Sequence, residues 1–211
     1  MTQPTSPLAG VRIIPANEAT WADIQAVFGV RGNASSCRCQ WYKTAPRTWD
    51  GQSGALMVEE RAWQLRVQTG ADNPESPVTS GLVAYVDGEP AGWVAVEPRT
   101  AYPRLQRKPL VWKDRRHEDK ADDSVWALTC FVVRVGFRRR GLMLELARAA
   151  IDFARERGAR ALEAYPMHVD DGQDVSWGEL FVGKDTILAE AGFREVTHPT
   201  PRRSVMRVDF A

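Results

Sequence analysis

The feature that most constrains the fold is an apolar run that leads through an arginine-rich turn into a long amphipathic segment. Val125–Val133 is almost wholly apolar, which predicts a strand buried on both faces of a sheet. Gly136 and Arg138–Arg140 form the turn, and apolar residues then recur at helical spacing from Gly141 to Arg157. Ala161–Tyr165 has the pattern of a second strand. This order predicts two parallel strands joined by a right-handed crossover.

Weaker patterns on either side extend the predicted sheet. Gly81–Val86 and Pro90–Val96 are apolar and β-branched, and the Asp-Gly dipeptide between them is a strong hairpin signal. Arg31–Gly54 is predicted to be a long loop, and Arg99–Asp123 a charged connection without strands. The other predicted elements are strands at Val11–Ile14, Phe193–Thr197 and Ser204–Phe210, a helix capped by Asn17 or Thr20 that reaches Phe28, and helices at about Ala55–Thr69 and Glu179–Ala191. We therefore predict an α/β fold whose mixed sheet has about six or seven strands and helices on both faces.

Composition narrows the class of protein. The chain has 211 residues, 28 basic and 27 acidic, so its net charge of +1 implies no general attraction to nucleic acid or to a membrane surface. No apolar run approaches the roughly 18 residues of a membrane span, and Met1–Gly10 lacks a signal-peptide pattern and is expected to fray. Three cysteines, an odd and low number, favour a reducing compartment. We expect one domain over residues 11–211 in the cytoplasm.

The turn before the long helix has the chemistry of an anion site. The first amides of a helix have no partner within the helix, and the helix dipole adds positive potential there. Gly141 allows a ligand close to the backbone, and Arg138–Arg140 add full charges. The pattern fits a phosphate or diphosphate, although it matches neither the P-loop nor the dinucleotide-binding glycine pattern. The alternative is a solvated arginine run before an ordinary helix.

These residues resemble a known motif. Arg138-Arg139-Arg140-Gly141-Leu142-Met143 is similar to the Gln/Arg-x-x-Gly-x-Gly/Ala motif with which the GNAT N-acetyltransferase superfamily binds acetyl-CoA. Gly192-Phe193, at the entry to a late strand, also resembles that family, and the order of elements agrees from Gly81 to Phe210. The resemblance implies a GNAT-like fold with a splayed pair of parallel strands and an acetyl-CoA-dependent N-acetyltransferase, often a homodimer, that acts on a small-molecule amine.

The resemblance also implies cofactor-binding residues. The backbone at Phe131, Val132 and Val133 would bind the pantetheine arm as an added strand, and an N–H near the middle of that strand would polarise the thioester carbonyl. The residues expected to hold the pyrophosphate, mostly through backbone amides, are Arg138, Arg139, Arg140, Gly141, Leu142, Met143 and Leu144. Two departures stand out: Met143 replaces a small residue, and Leu188 occupies the position of the family's frequent tyrosine acid.

Other residues are therefore candidates for proton transfer. Glu163 and Tyr165 share one face of the strand beside the predicted cleft, and His168 follows it with a suitable pKa for a base. We expect Tyr165 to be the acid and His168 or Glu163 the base, with Glu97 as a further candidate. A purely structural or solvated role is the alternative for each of them.

The resemblance places the acceptor pocket under the loop between the first two helices. Cys37, Trp41 and Tyr42 would then line it, and eight tryptophans in the chain hint at an apolar or aromatic acceptor. The alternative for this loop is simple packing on the core. We expect no metal, because Cys37 and Cys39 lack further ligands at a suitable spacing.

Two charged segments leave the acceptor's charge open. Arg99–Arg116 holds seven basic residues and one acidic residue, which suits the CoA 3′-phosphate, an anionic partner or a solvated loop. Asp170, Asp171 and Asp174 could hold a cationic substrate or be solvated. Two other functions stay open from the sequence: an acyl-CoA-binding regulatory module without turnover, and an RNA-associated protein that uses the basic segment. We nevertheless expect no nucleic-acid or membrane partner.

Overall fold

A computed structural model describes residues 8–44, 55–169, 175 and 179–210. Within them the chain forms one sheet in the order β1-β2-β3-β4-β5-β7-β6. Its strands are β1 (Val11–Pro15), β2 (Gly81–Val86), β3 (Glu89–Pro98), β4 (Val125–Val133), β5 (Ala161–Ala164), β6 (Arg194–Thr200) and β7 (Arg203–Asp209). β4 and β5 are parallel and the other neighbours are antiparallel, which confirms the predicted mixed sheet.

Helices cover both faces of this sheet. They are α1 (Trp21–Phe28), α2 (Gly32–Cys37), α3 (Ala55–Thr69), α4 (Pro103–Gln106), α5 (Leu142–Glu156) and α6 (Asp185–Ala191). The apolar stripe of α5 packs on β2, β3 and β4, with Leu146 and Ala150 fully buried in the larger core cluster. α1 packs on the opposite face, where Ile24 and Phe28 contact Trp93 and its neighbours. No helix in the described ranges is long and apolar enough to cross a bilayer.

The Asp87-Gly88 hairpin forms as predicted. Both residues have positive φ values, 51° and 82°, the combination that matches a tight turn to the twist of its two strands. The turn also binds the segment before β1, because the Asp87 N–H donates a hydrogen bond to the Gly10 carbonyl at 3.0 Å. Residues 1–7 of the predicted frayed segment lie outside the described residues.

β4 carries a bulge and then leaves its parallel neighbour. Ala95 pairs with Cys130 but Val96 pairs with Leu128, so β4 has one extra residue at this point. The parallel pairing with β5 ends at Leu128. Beyond it, among the described residues, no strand lies beside β4 on that side. The predicted splayed pair is therefore confirmed, and the open edge of β4 is where a ligand chain can enter.

Two predicted elements differ from the structure. The predicted loop after α1 contains the short helix α2, and the helix predicted from Glu179 is a 3-10 turn, Leu180–Val182, followed by α6. Gly183, at a φ of 84°, breaks the two apart because most residues avoid that conformation. The connection after β3 has no strand, as predicted, but it is not simply solvated, because Arg99 and Arg115 are buried.

Candidate active site

The backbone of Phe131 and Val133 faces the open edge of β4. The Arg134 N–H donates to the Ala91 carbonyl on β3 at 3.0 Å. Because successive residues of a strand direct their N–H and C=O groups to alternate sides, Phe131 and Val133 direct theirs away from β3. The Val133 carbonyl accepts a hydrogen bond from Arg138 Nε at 3.0 Å. The N–H groups of Phe131 and Val133 and the carbonyl of Phe131 are placed to pair with an extended ligand as an added strand would.

The N-terminus of α5 lies next to this edge and is uncapped by any side chain. Gly141 has a φ of 83° and Arg139 a φ of 61°, so the turn approaches the helix in a left-handed conformation. Within the described residues, the amides from Arg139 to Met143 donate to no backbone carbonyl. The Leu144 N–H, by contrast, donates to the Gly141 carbonyl at 2.9 Å, and we therefore correct the predicted set of phosphate-binding amides by removing Leu144.

A cavity of about 660 Å³ lies between this turn, the edge of β4 and α6. Phe131 and Val133 form its wall on the sheet, and Ile187 and Glu190 form its wall on α6. Leu8 and Leu180 also line it, and the turn and the first helical residues supply the rest: Phe137, Arg138, Arg139, Arg140, Gly141, Leu142, Met143, Leu144 and Glu145. The predicted cofactor residues are thus brought together, except Val132, which lies on the opposite face of β4.

A second cavity, of about 390 Å³, lies on the α1 side of β4. It is lined by all three predicted acceptor residues, Cys37, Trp41 and Tyr42. Phe131 lines both cavities, so the two meet at the strand edge. The remaining lining residues were not predicted for the acceptor pocket, and most of them come from distant segments: Phe28, Asn33, Ala34, Ser36, Cys39, Lys108, Cys130, Val132, Glu179, Phe181 and Arg203.

Two of the thiols of this second cavity, Cys37 and Cys130, and the phenol of Tyr42 stay protonated at neutral pH. Burial raises the pKa of the Cys37 thiol to about 11 and the pKa of Tyr42 to about 12. A hydrogen bond with the Cys39 thiol, together with burial, holds the pKa of Cys130 well above its usual value. Neither Cys37 nor Cys130 therefore supplies a thiolate, which is the nucleophilic form of the side chain. No group of three or more His, Cys, Asp or Glu side chains in the described segments is arranged to hold a metal ion.

Glu163 and Tyr165 lie instead in a buried ion cluster. The Tyr165 hydroxyl donates to Glu163 Oε2 at 2.9 Å, and burial raises the pKa of Tyr165 well above its usual value. Glu163 Oε1 accepts from Arg115 and lies 3.5 Å from Arg99 and 3.3 Å from Arg207. Neither predicted catalytic residue lines either cavity. The arrangement favours a structural role, since three cations hold this carboxylate.

His168 is the predicted catalytic residue whose side chain is accessible, with 41% of it exposed. Its Nδ1 lies 2.6 Å from Asp185 Oδ2, a contact that fixes the ring and its tautomer. Met167 precedes it and pairs with Arg203, which lines the second cavity. His168 itself is not in the lining of either cavity.

The further candidate Glu97 is also committed to a partner. Its Oε2 lies 2.5 Å from Lys43 Nζ, and burial raises its pKa. Leu188 is fully buried in the core and has no proton to give. The acidic residues Asp170, Asp171 and Asp174 lie outside the described residues.

Comparison with known proteins connects this geometry to a family. The model of the acetyltransferase (GNAT) family matches residues 39–178. A search among curated proteins found no match. Among solved structures, a GCN5-related N-acetyltransferase from Kribbella flavida is 19% identical with a TM-score of 0.53, covering 97% of this chain and 100% of that one.

Two further solved structures share the fold at lower identity. An N-acetyltransferase from Staphylococcus aureus Mu50 is 11% identical with a TM-score of 0.52, covering 95% of this chain and 99% of that one. The protein yncA from Salmonella typhimurium, solved with its cofactor acetyl-CoA, is 14% identical with a TM-score of 0.50, covering 95% and 94%. At such identities the likeness concerns the fold alone.

Proposed function

Because this chain belongs to the acetyltransferase (GNAT) family, we propose that it transfers the acetyl group of acetyl-CoA to the amine of a small molecule by direct attack. Acetyl-CoA is the acetyl donor of this family. The observation that carries the small-molecule part of the proposal is the pair of cavities that meet at Phe131. One is lined by arginines and by amides that donate to no backbone carbonyl of the described residues, and the other, of about 390 Å³, is lined by aromatic rings. Pockets of roughly 300–1,000 Å³ suit small molecules.

The first cavity fits the donor. The unpaired amides from Arg139 to Met143 would hold the pyrophosphate at the N-terminus of α5, where the helix dipole favours an anion. Arg138 lies beside them, and the open backbone of Phe131 and Val133 would pair with the pantetheine arm. This arrangement would direct the thioester towards the β4 bulge and hence towards the second cavity.

The residues of β4 and the second cavity would then align the reactants. The amine loses a proton and forms a bond to the acetyl carbon, the carbon–sulfur bond breaks, and the released thiolate takes up a proton. An N–H near the bulge would stabilise negative charge on the carbonyl oxygen. Tyr42 keeps its proton at neutral pH and lines the cavity, so it could orient the acceptor by hydrogen bonding. Holding the two reactants together supplies much of the rate enhancement.

The base that takes the proton of the amine comes from outside the linings of the two cavities, because none of the predicted candidates lines them. Of the predicted candidates, Glu163 and Tyr165 are held in the ion cluster, which leaves His168 as the residue we propose. It follows β5, directly after Met167, which bridges to Lys184 and Arg203, and Asp185 holds its ring. The histidine would accept the amine proton, directly or through water, once the acceptor is bound.

The donor site is tested with two glycines at opposite ends of α5. Gly141 and Gly158 both have positive φ values, 83° and 77°, and an added Cβ would meet nothing within 4 Å at either. Gly141→Glu places a carboxylate beside the unpaired amides, so we expect acetyl-CoA affinity in calorimetry to fall by about tenfold or more. Gly158→Glu carries the same backbone strain and charge away from the site.

The outcomes separate cofactor binding from turnover. Affinity within twofold of wild type for Gly141→Glu, or an equal loss in Gly158→Glu, would show that the turn does not bind the cofactor. Thiol release from acetyl-CoA with a panel of primary amines then tests transfer. Binding of acetyl-CoA without release on any amine would favour the regulatory module over the enzyme.

A further inference from the structure

We propose that the acceptor amine carries an oxyanion, a carboxylate or phosphonate, and that Lys108 and Arg203 bind it in the second cavity. This inference rests on the proposed function, because it names the class of acceptor for the same site. Lys108 comes from the basic segment after β3, and Arg203 begins β7. Both residues line the cavity, although they are 95 positions apart in the sequence.

Neither cation, Lys108 or Arg203, meets a carboxylate partner among the described residues. Glu179 also lines the cavity, but its Oε1 lies 3.6 Å from Arg202. Arg99 and Arg115, which lie near the two ends of the same basic segment, instead form ion pairs with Glu163. Among the described residues, the lining of the cavity therefore holds two cations that have no carboxylate partner.

The crowding of these cations supports the same conclusion. The pKa of Lys108 is lowered by burial and then by the charges of Arg203 and Arg104. Half-buried like charges repel each other and lose hydration, and an anion between them reverses both effects. Arg104 is stacked over the ring of Trp41 at 3.9 Å, and Trp41 lines the cavity, so a third positive charge lies behind that ring.

The remaining walls specify the rest of the acceptor. Phe28, Trp41, Tyr42 and Phe181 supply aromatic surface, and the Tyr42 and Phe181 rings lie 6.2 Å apart. Such a lining binds an apolar or aromatic body between the two ends of the ligand. Cys130 and Phe131 mark the end of the cavity at β4, where the amine must meet the thioester. An amine whose apolar body ends in an oxyanion satisfies all three regions.

Positive charge in this cavity also suits the reaction. A nearby cation disfavours the ammonium form of an amine, and only the neutral amine can attack a carbonyl. Attraction between the oxyanion and the two cations then holds the ligand in the cavity. The same cations favour the neutral form of its amine. A diamine would instead place a second positive charge against Lys108 and Arg203.

The test uses para-substituted benzylamines that differ in one group. The probes are para-aminomethylbenzoate, the corresponding phenylphosphonate, the neutral para-aminomethylbenzamide and the cationic para-xylylenediamine. Their dissociation constants are measured by calorimetry on the full chain saturated with CoA, so that no turnover is needed. A charge-assisted hydrogen bond is worth about tenfold or more in affinity, and we expect the benzoate or phosphonate to bind at least that much tighter than the benzamide.

Three variants locate the charge. Lys108→Met and Arg203→Met should each remove most of the preference for the anionic probes and change benzamide affinity less than twofold. Arg107→Met is the matched control, because Arg107 is exposed, adjoins Lys108 and does not line the cavity. Acetyl-CoA affinity within twofold of wild type in all three variants verifies that the fold is intact.

Each outcome decides one claim. Benzamide or the diamine binding as tightly as both anionic probes would overturn the inference, as would no measurable binding of either anionic probe. An anionic preference that survives both Lys108→Met and Arg203→Met would place the subsite elsewhere and also overturn it. Loss of acetyl-CoA binding in the wild type would instead refute the proposed function. Comparison of the two anionic probes distinguishes a carboxylate from a phosphonate acceptor.

Discussion

Replacing Glu163 by glutamine should destabilise the fold rather than stop the chemistry. Glutamine keeps the shape of the side chain and a partner for the Tyr165 hydroxyl but removes the charge. The side chains of Arg99 and Arg115 are only 0% and 1% exposed, so water cannot replace the carboxylate that they lose. Removing one partner of a buried ion pair costs roughly 3–5 kcal/mol. Glu118 remains 3.7 Å from Arg99, so we expect the lower end, about 3 kcal/mol.

Urea denaturation of the variant measures this directly. With a slope of about 3 kcal/mol/M for a chain of this size, the midpoint should fall by about 1 M. At low urea, where both proteins are folded, kcat should stay within about threefold of wild type, because Glu163 lines neither cavity. Glu195→Gln is the control, since Glu195 is exposed and pairs with His198 at 3.1 Å.

The opposite pair of results would refute the structural assignment. If the midpoint moved by less than about 0.3 M while kcat fell by about a hundredfold or more, Glu163 would be acting as the base predicted from the sequence. The burial of its three arginine partners would then be irrelevant to stability. If both the urea midpoint and kcat fall, kcat is measured again with saturating acetyl-CoA, which stabilises the folded state. A kcat that then recovers was lowered by unfolding and not by loss of a base.

Two other changes test the assignment of charges. His168→Asn should lower kcat/KM by about a hundredfold and remove the ionisation of a base from the pH profile. His198 has an exposed ring 6.2 Å away, and kcat/KM of His198→Asn should stay within twofold of wild type. Equal values of kcat/KM for the two variants would exclude His168 as the base. Hydrogen bonds from Ser124 and Arg160 lower the pKa of Asp122 to about 2, below its unfolded value. The stability they supply is therefore complete above about pH 4 and lost as the pH falls through 2. Asp122→Asn should cost about 1 kcal/mol in urea unfolding at pH 7 and less at pH 3, and a difference that does not depend on pH would contradict this.

Local patterns predicted the part of the fold that binds the donor. Both β4 and α5 are within a few residues of their predicted bounds, because a continuous apolar strand and a helical stripe are properties of neighbouring residues. The uncapped helix start follows from Gly141 and the arginines before it. The acceptor residues Cys37, Trp41 and Tyr42 came from the family resemblance, and the structure places them in one cavity.

Tertiary structure alone decided where the charges went. Alternation along β5 puts Glu163 and Tyr165 on one face, as predicted, but does not say what covers that face. The connection after β3 covers it and directs Arg99 and Arg115 inward, while Lys108 in the same segment reaches the acceptor cavity beside Arg203. A run of charged residues in the sequence does not determine which of its side chains become buried and which stay in water. Each cation's role depends on whether distant strands place a carboxylate, a cavity or water next to it, and that is settled only when the sheet assembles.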